Sequence, residues 1–179
     1  MADHTASFDE LYRATSRRLL QYAYAMTGDL ATAQDITQEA YVRAWRNWRQ
    51  VEAYERADAW LRVVVTRLVT DRWRRMRSYR RVAGAYSRAA VAPPPSEDGI
   101  LLAGALRQLP VNQRRAVCLH HLLDLPVAQI AAEAGVSEST VKSWLSRGRS
   151  ALAEILGPET FDEAPTTLTN RREKPDVHL

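Results

Sequence analysis

Apolar positions recur every three to four residues in a series of segments broken by glycine, proline and polar clusters, so the pattern predicts an all-α chain. Phe8, Leu11, Tyr12, Thr15, Leu19, Tyr22 and Met26 share one face of a first helix, which Ser7-Phe8-Asp9-Glu10 opens as a capping box and Gly28 stops. Asp29 is placed to cap a second helix, in which Ile36, Ala40, Ala44 and Trp48 repeat every fourth residue. A loop is expected over 49–57. Asp58 is then placed to cap a third helix carrying Leu61, Val64, Val65, Leu68 and Val69. The β-branched residues also suit a strand over 61–69, but length and flanking pattern favour a helix that runs on into DRWRRMRSYRR.

Beyond this helix the text changes to small residues and then to Pro93-Pro94-Pro95-Ser96-Glu97-Asp98-Gly99, the composition of a linker. Segments 100–109 and 111–123 and a final helical pair form a second unit. The tail after Gly157-Pro158 is polar and proline-broken, and is expected to be disordered. The expected organisation is two small helical domains, 1–81 and 99–157, joined by a flexible linker at 82–98 and followed by the tail 158–179. A linker of about 17 residues reaches at most about 60 Å, or about 17 base pairs, enough for the units to bind separate sites on one duplex.

The final helical pair, DLPVAQIAAEAGVSESTVKSWLSRGRSALAEIL, has the form of a helix-turn-helix. Pro126 suits the first turn of the leading helix, and Val127, Ile130 and Ala131 form its apolar stripe. Gly135 sits at the turn, where positive φ is often needed. Ser137 is an N-cap candidate, with Glu138 complementing the positive end of the second helix. There Val141, Leu145, Gly148 and Leu152 face inward, leaving Lys142, Ser143, Ser146, Arg147 and Arg149 mostly on the other side. A helix with an apolar back and a basic, polar front suits the major groove. Such pairs also occur in proteins that touch no DNA, where the arginines are simply solvated.

A net charge of +4 over 179 residues permits a polyanionic partner without demanding one. The charge is concentrated at 71–81, where six arginines and two aromatics accompany a single acid, a mixture suited to phosphates and to the exposed bases of opening DNA. With one cysteine, Cys118, the chain can form no internal disulfide. It has no apolar run of membrane-spanning length, and its first residues, MADHTASFDE, lack the basic and apolar regions of a signal peptide, so a cytoplasmic chain without membrane insertion is expected. Cys118, His120 and His121 lie close together, but no second cluster supplies the remaining ligands of a tetrahedral metal site. No phosphate loop, HExxH or nucleophile elbow is present. Neither catalytic activity nor a metal or other cofactor is expected.

These motifs, taken in order from Phe8 to Leu156, resemble the sigma-70 family of RNA polymerase sigma factors. The resemblance is to the short extracytoplasmic-function class, which keeps only regions 2 and 4. TGDLATAQDITQEAYVRAWRNW and AWLRVVVTRLVTDRWRR are similar to the helices of region 2, and LPVNQRRAVCLHHLLDLPVAQIAAEAGVSESTVKSWLSRGRSAL follows region 4 without a gap. The Gly28-Asp29 turn and the Trp45/Trp48 pair are most similar to actinobacterial members. The resemblance implies that Asp35, Gln38, Glu39, Arg43 and Trp45 dock on core RNA polymerase. It implies that Tyr54, Arg56 and Trp60 capture a flipped base of the −10 element, while Arg62, Arg67, Arg74, Arg75 and Arg77 hold its backbone. Lys142, Ser143, Ser146 and Arg147 would face the −35 element. An anti-sigma protein is a further implied partner, beside core polymerase and promoter DNA. Two positions depart from the family pattern: Arg67 stands where many members have Asn, and Trp144 where a basic or polar residue is common.

The implied function is promoter-specific initiation of transcription. Two alternatives follow from the residues alone. An autonomous helix-turn-helix regulator would give a palindromic footprint without polymerase. An interaction module whose helix-turn-helix no longer reads DNA would bind it weakly and without regard to sequence.

Overall fold

The computed structural model describes residues 2–82 and 97–157, with side chains described from His4 through most of the helix ending at Val82 and again from Gly99. Among the described residues every regular element is a helix: α1 (Ala2–Thr27), α2 (Leu30–Arg46), α3 (Trp48–Val51), α4 (Ala57–Val82), α5 (Glu97–Gln108), α6 (Val111–His121), α7 (Val127–Ala134) and α8 (Glu138–Leu156). Helices α1, α2 and α4 pack together as one unit, and α5–α8 as a second. The linker expected at 82–98 falls largely, and the tail at 158–179 wholly, outside the described residues. Residues 97 and 98 already belong to α5.

Local chemistry sets several helix ends. Asp29 accepts from the Thr32 amide at 2.7 Å and caps α2, directly after Gly28 has ended α1 in the left-handed region at φ +68°. The side chain of Arg107 lies across Gly28, so a Cβ there would collide with it. Gly135, at φ +67°, closes α7, and Ser137 accepts from the Thr140 amide at 3.2 Å to open α8.

Several expectations are corrected. α1 begins at Ala2, so Ser7 lies inside the helix and is not its cap. Its hydroxyl donates to Glu52 Oε1 at 2.6 Å, while His4 Nδ1 lies 2.6 Å from Oε2, tying α1 to the turn after α3. The Ser7 hydroxyl and then His4 hold the Glu52 carboxyl below its ordinary range. Trp48, expected to belong to the second helix, instead opens the separate four-residue α3, whose other three residues fall in the segment expected to be loop. Pro126 is the N-cap of α7, one residue before the first helical turn. Asp58 lies inside the first turn of α4 and does not cap it.

The core runs without interruption through both units. Tyr22, Leu61 and Val65 on one side and Leu106, Leu119 and Ile130 on the other are fully buried members of a single apolar cluster. α1 forms the seam, packing against α5 and α6 as well as against α2 and α4. The buried guanidinium of Arg114 bridges that seam, donating to the carbonyls of Met26 (2.8 Å), Arg107 (2.8 Å) and Leu109 (3.1 Å). It thereby satisfies a carbonyl in the last turn of α1, one of those a helix end leaves unpaired. Within the second unit Gly148 brings α8 close to α6, since a Cβ there would lie 2.8 Å from Val117 Cγ2.

Candidate polymerase and promoter interfaces

The outer face of α2 is built by exclusion. Ala33, Ile36, Thr37, Ala40, Tyr41 and Ala44 are buried, which turns Asp35, Gln38, Glu39 and Arg43 to solvent. Glu39 accepts from Arg43 Nε at 2.8 Å, an exposed i,i+4 pair. Trp45 is half-exposed at the edge of this stripe and packs edge-on against Phe8 with ring centroids 5.0 Å apart. Phe8 also meets Tyr41 and Trp48, and Tyr41 shares a 2.7 Å hydrogen bond with Thr15. Burial pushes the Tyr41 phenol up to about 12, so the aromatic cluster stays uncharged beneath the acidic stripe. Exposed Val42 and Arg46 complete the stripe and are absent from the sequence candidates; the spacing of Asp35, Glu39, Val42 and Arg46 at i, i+4, i+7 and i+11 marks them.

The second candidate surface runs from the turn after α3 along α4. Tyr54 is exposed on that turn. Arg56 meets Asp58 through two hydrogen bonds, Nε to Oδ1 at 3.0 Å and an Nη to Oδ2 at 2.9 Å. The pair raises the Arg56 pKa and holds the Asp58 carboxyl low, with the hydrogen bond between them as first cause of each shift. Trp60 is half-buried against the core. Arg67, Arg74 and Arg75 are exposed, and the seven-residue spacing of Trp60, Arg67 and Arg74 sets them along one side of α4. The side chain of Arg77 lies outside the described residues.

Arg62 is placed otherwise. It follows Leu61 on the packed side of α4, is 5% exposed, and donates from an Nη to Glu133 Oε1 of α7 at 2.6 Å. In this arrangement it is not available to a DNA backbone, which corrects its grouping with the other arginines.

The third surface is α8. Val141, Leu145, Gly148 and Leu152 are buried, and Lys142, Ser146, Arg147 and Arg149 are exposed, with Ser143 at intermediate exposure. Lys142 Nζ lies 3.8 Å from Glu138 Oε2. Trp144 is half-buried against the core, which accounts for an aromatic residue at that position.

Cys118, His120 and His121 do not converge on a common ligand position: Cys118 is buried, and His120 Nδ1–H donates to the Leu125 carbonyl at 2.8 Å. Among the described residues no group of three potential ligands could hold a metal ion. Burial pushes the Cys118 thiol up to about 12, leaving little thiolate at neutral pH. Labelling of Cys118 by a thiol reagent should therefore be roughly 100- to 1,000-fold slower in the native protein than in urea. Equal rates would show that α6 opens freely.

Residues 11–79 match the family profile of Sigma-70 region 2, and residues 100–152 match that of Sigma-70, region 4. The chain is 34% identical over 152 residues to the ECF RNA polymerase sigma factor SigL of Mycobacterium tuberculosis, a match covering 80% of this chain and 85% of the relative. The chain belongs to the sigma-70 family. Its similarity to the ECF RNA polymerase sigma factor SigE of Mycolicibacterium smegmatis is 32% over 169 residues, covering 88% of this sigma factor and 65% of that relative's length. Both relatives are extracytoplasmic-function members from actinobacteria, as the sequence resemblance implies. The sigma factor RpoE of Bartonella quintana, solved in complex with the anti-sigma factor NepR, shares the fold with a TM-score of 0.70. That match covers 87% of this chain and 98% of the other at 23% identity. Sigma factors direct transcription initiation and are not enzymes, and no described helix here is long and apolar enough to cross a membrane.

Proposed function

We propose that this sigma factor binds core RNA polymerase in the cytoplasm through the outer stripe of α2, centred on Asp35, Gln38, Glu39, Arg43 and Trp45, and directs it to promoters through α4 and α8. The stripe offers acids flanked by an exposed tryptophan, chemistry suited to a basic, partly apolar partner helix. Tyr54, Arg56 and Trp60 take an unstacked base of the −10 element, with Arg67, Arg74, Arg75 and Arg77 for the phosphates around it. Lys142, Ser143, Ser146 and Arg147 face the −35 duplex. An anti-sigma protein holds the factor inactive, a role proposed from the family. The observation that carries this reading is the presence, on one chain of this family, of three solvent-facing surfaces of the required chemistry on α2, α4 and α8.

Run-off transcription tests it. Purified protein mixed with sigma-free bacterial core polymerase on fragmented actinobacterial DNA should yield discrete transcripts whose start sites share spaced −10 and −35 elements. No core association and no transcripts would favour the autonomous DNA binder.

A further inference from the structure

The first two turns of α1 brace the far end of α3. Phe8 packs edge-on against Trp48 with ring centroids 5.1 Å apart, and Val51, the last residue of α3, is fully buried. Past Val51 the packing stops, and Glu52, Ala53, Tyr54, Glu55 and Arg56 are all exposed. Two backbone bonds shape this turn: the Glu52 amide donates to the Trp48 carbonyl at 2.8 Å, and the Tyr54 amide to the Val51 carbonyl at 3.1 Å. Its described side-chain hydrogen bonds lie at its two ends. Arg56 meets Asp58, two residues on, and so ties the turn only to the start of α4. Glu52 is gripped from outside, by Ser7 Oγ at 2.6 Å on Oε1 and by His4 Nδ1 at 2.6 Å on Oε2. The Ser7 hydroxyl has one proton and the His4 carbonyl lies farther off, at 3.2 Å, so the proton goes to Glu52. The Glu52 carboxyl, held low by Ser7 and then by His4, is an ionised group that only accepts, so His4 Nδ1 carries hydrogen. The two donors stand one helical turn apart on α1 and each takes its own oxygen, which fixes the carboxylate in direction as well as position.

We propose that His4 and Ser7 are positioning residues for base capture: through Glu52 they hold the turn after α3 so that Tyr54 is already in place to receive an unstacked base of the −10 strand. The inference rests on the base-capture reading of Tyr54, Arg56 and Trp60 given above. Trp60 is set by the core against which it is half-buried, and Arg56 by Asp58. Tyr54 is 52% exposed on a turn with no core beneath it, so its placement depends on how firmly the turn is held. A base binds most tightly to groups held in advance, because ordering them at the moment of binding subtracts from the affinity. The bonds to Glu52 lie at the surface, where such pairs add little to global stability. Their effect is local, on the population of one conformation of the turn.

The test removes both donors from α1 and leaves the turn's own sequence intact, as His4→Ala with Ser7→Ala in the full chain. Amide hydrogen exchange read by mass spectrometry should quicken over residues 52–56, while thermal unfolding stays unchanged. Holoenzyme reconstituted with core polymerase is then titrated with a labelled single strand carrying a −10 element mapped by run-off transcription, and with the same strand made abasic across that element. The double variant should bind the intact strand about fivefold more weakly, the loss expected if the released turn holds the capture geometry about one-fifth of the time. Its binding to the abasic strand, which offers phosphates without bases, should match the wild type. In a Tyr54→Ala background the same two substitutions should cost nothing further, because the group they position is gone. Ser7→Thr, which keeps the hydroxyl, should retain wild-type affinity. Unchanged exchange over 52–56 overturns the positioning role, and so does faster exchange with unchanged affinity for the intact strand. An equal loss on both strands, or a loss that persists in the Tyr54→Ala background, overturns it as well. A wild-type holoenzyme that binds intact and abasic strands alike overturns the base-capture reading itself, and this role with it, whatever the variants do.

Discussion

Charge reversal at Asp35 and Glu39 together, both to lysine, should abolish association with core polymerase while leaving the fold intact. Both carboxylates are exposed on α2, and the buried face of that helix consists of other residues. The only interaction lost inside the protein among the described contacts of the two is the exposed Glu39–Arg43 pair, worth about 0.3–0.5 kcal/mol in a helix. Placing like charges across an interface costs several kcal/mol, and about 3 kcal/mol is already a loss of roughly 100-fold in affinity. Gel filtration with core polymerase should show the wild type co-eluting and the double variant eluting alone, with unchanged thermal unfolding and no run-off transcripts. Retained co-elution would place the docking surface elsewhere. Trp45→Ala provides a separate measure of the apolar share: its ring is half-exposed and already packs on Phe8, so its loss should weaken docking without reversing any charge.

What could be read from the sequence follows the range of the interaction that fixes each feature. Asp29, Gly135 and Ser137 act on amides or dihedrals within three residues of themselves, and local patterns identified all three. The same local logic failed at Ser7. Its S-x-x-E pattern fits a capping box, but α1 extends back to Ala2 and the hydroxyl is taken by Glu52, 45 residues away. α3 is too short for hydrophobic periodicity to reveal it. The α4 arginines show the limit most clearly. The family resemblance groups Arg62 with Arg67, Arg74, Arg75 and Arg77, yet Leu61, Val65 and Val69 fix the buried side of the helix and carry Arg62 and Thr66 with them. Helical spacing alone could have separated Arg62 from the others. No local pattern could have supplied Glu133, because that partner lies 71 residues away across a seam between units expected to be independent.

Arg147→Ala should weaken binding to −35 duplex DNA by about 5- to 150-fold, the 1–3 kcal/mol of a bidentate contact with a guanine, and should relax sequence preference at one base pair. The side chain is exposed, and the position of α8 is set by Val141, Leu145, Gly148 and Leu152, so the helix should stay in place when Arg147 is truncated. Lys142→Ala gives the contrast. Its only described partner is Glu138 at 3.8 Å on the surface, and an ammonium at that point is free to meet a phosphate. If it does, the loss should be nearly uniform across sequences and should lower the slope of log affinity against log salt by about one. Anisotropy titrations of both variants over several salt concentrations, against the mapped promoter and a scrambled duplex, separate the two roles. A uniform loss for Arg147→Ala would make Arg147 a phosphate ligand and move base reading to Lys142, Ser143 or Ser146. Trp144→Ala should behave as neither, because its half-buried ring packs on the core of the second unit and its removal should lower the unfolding temperature before it alters recognition.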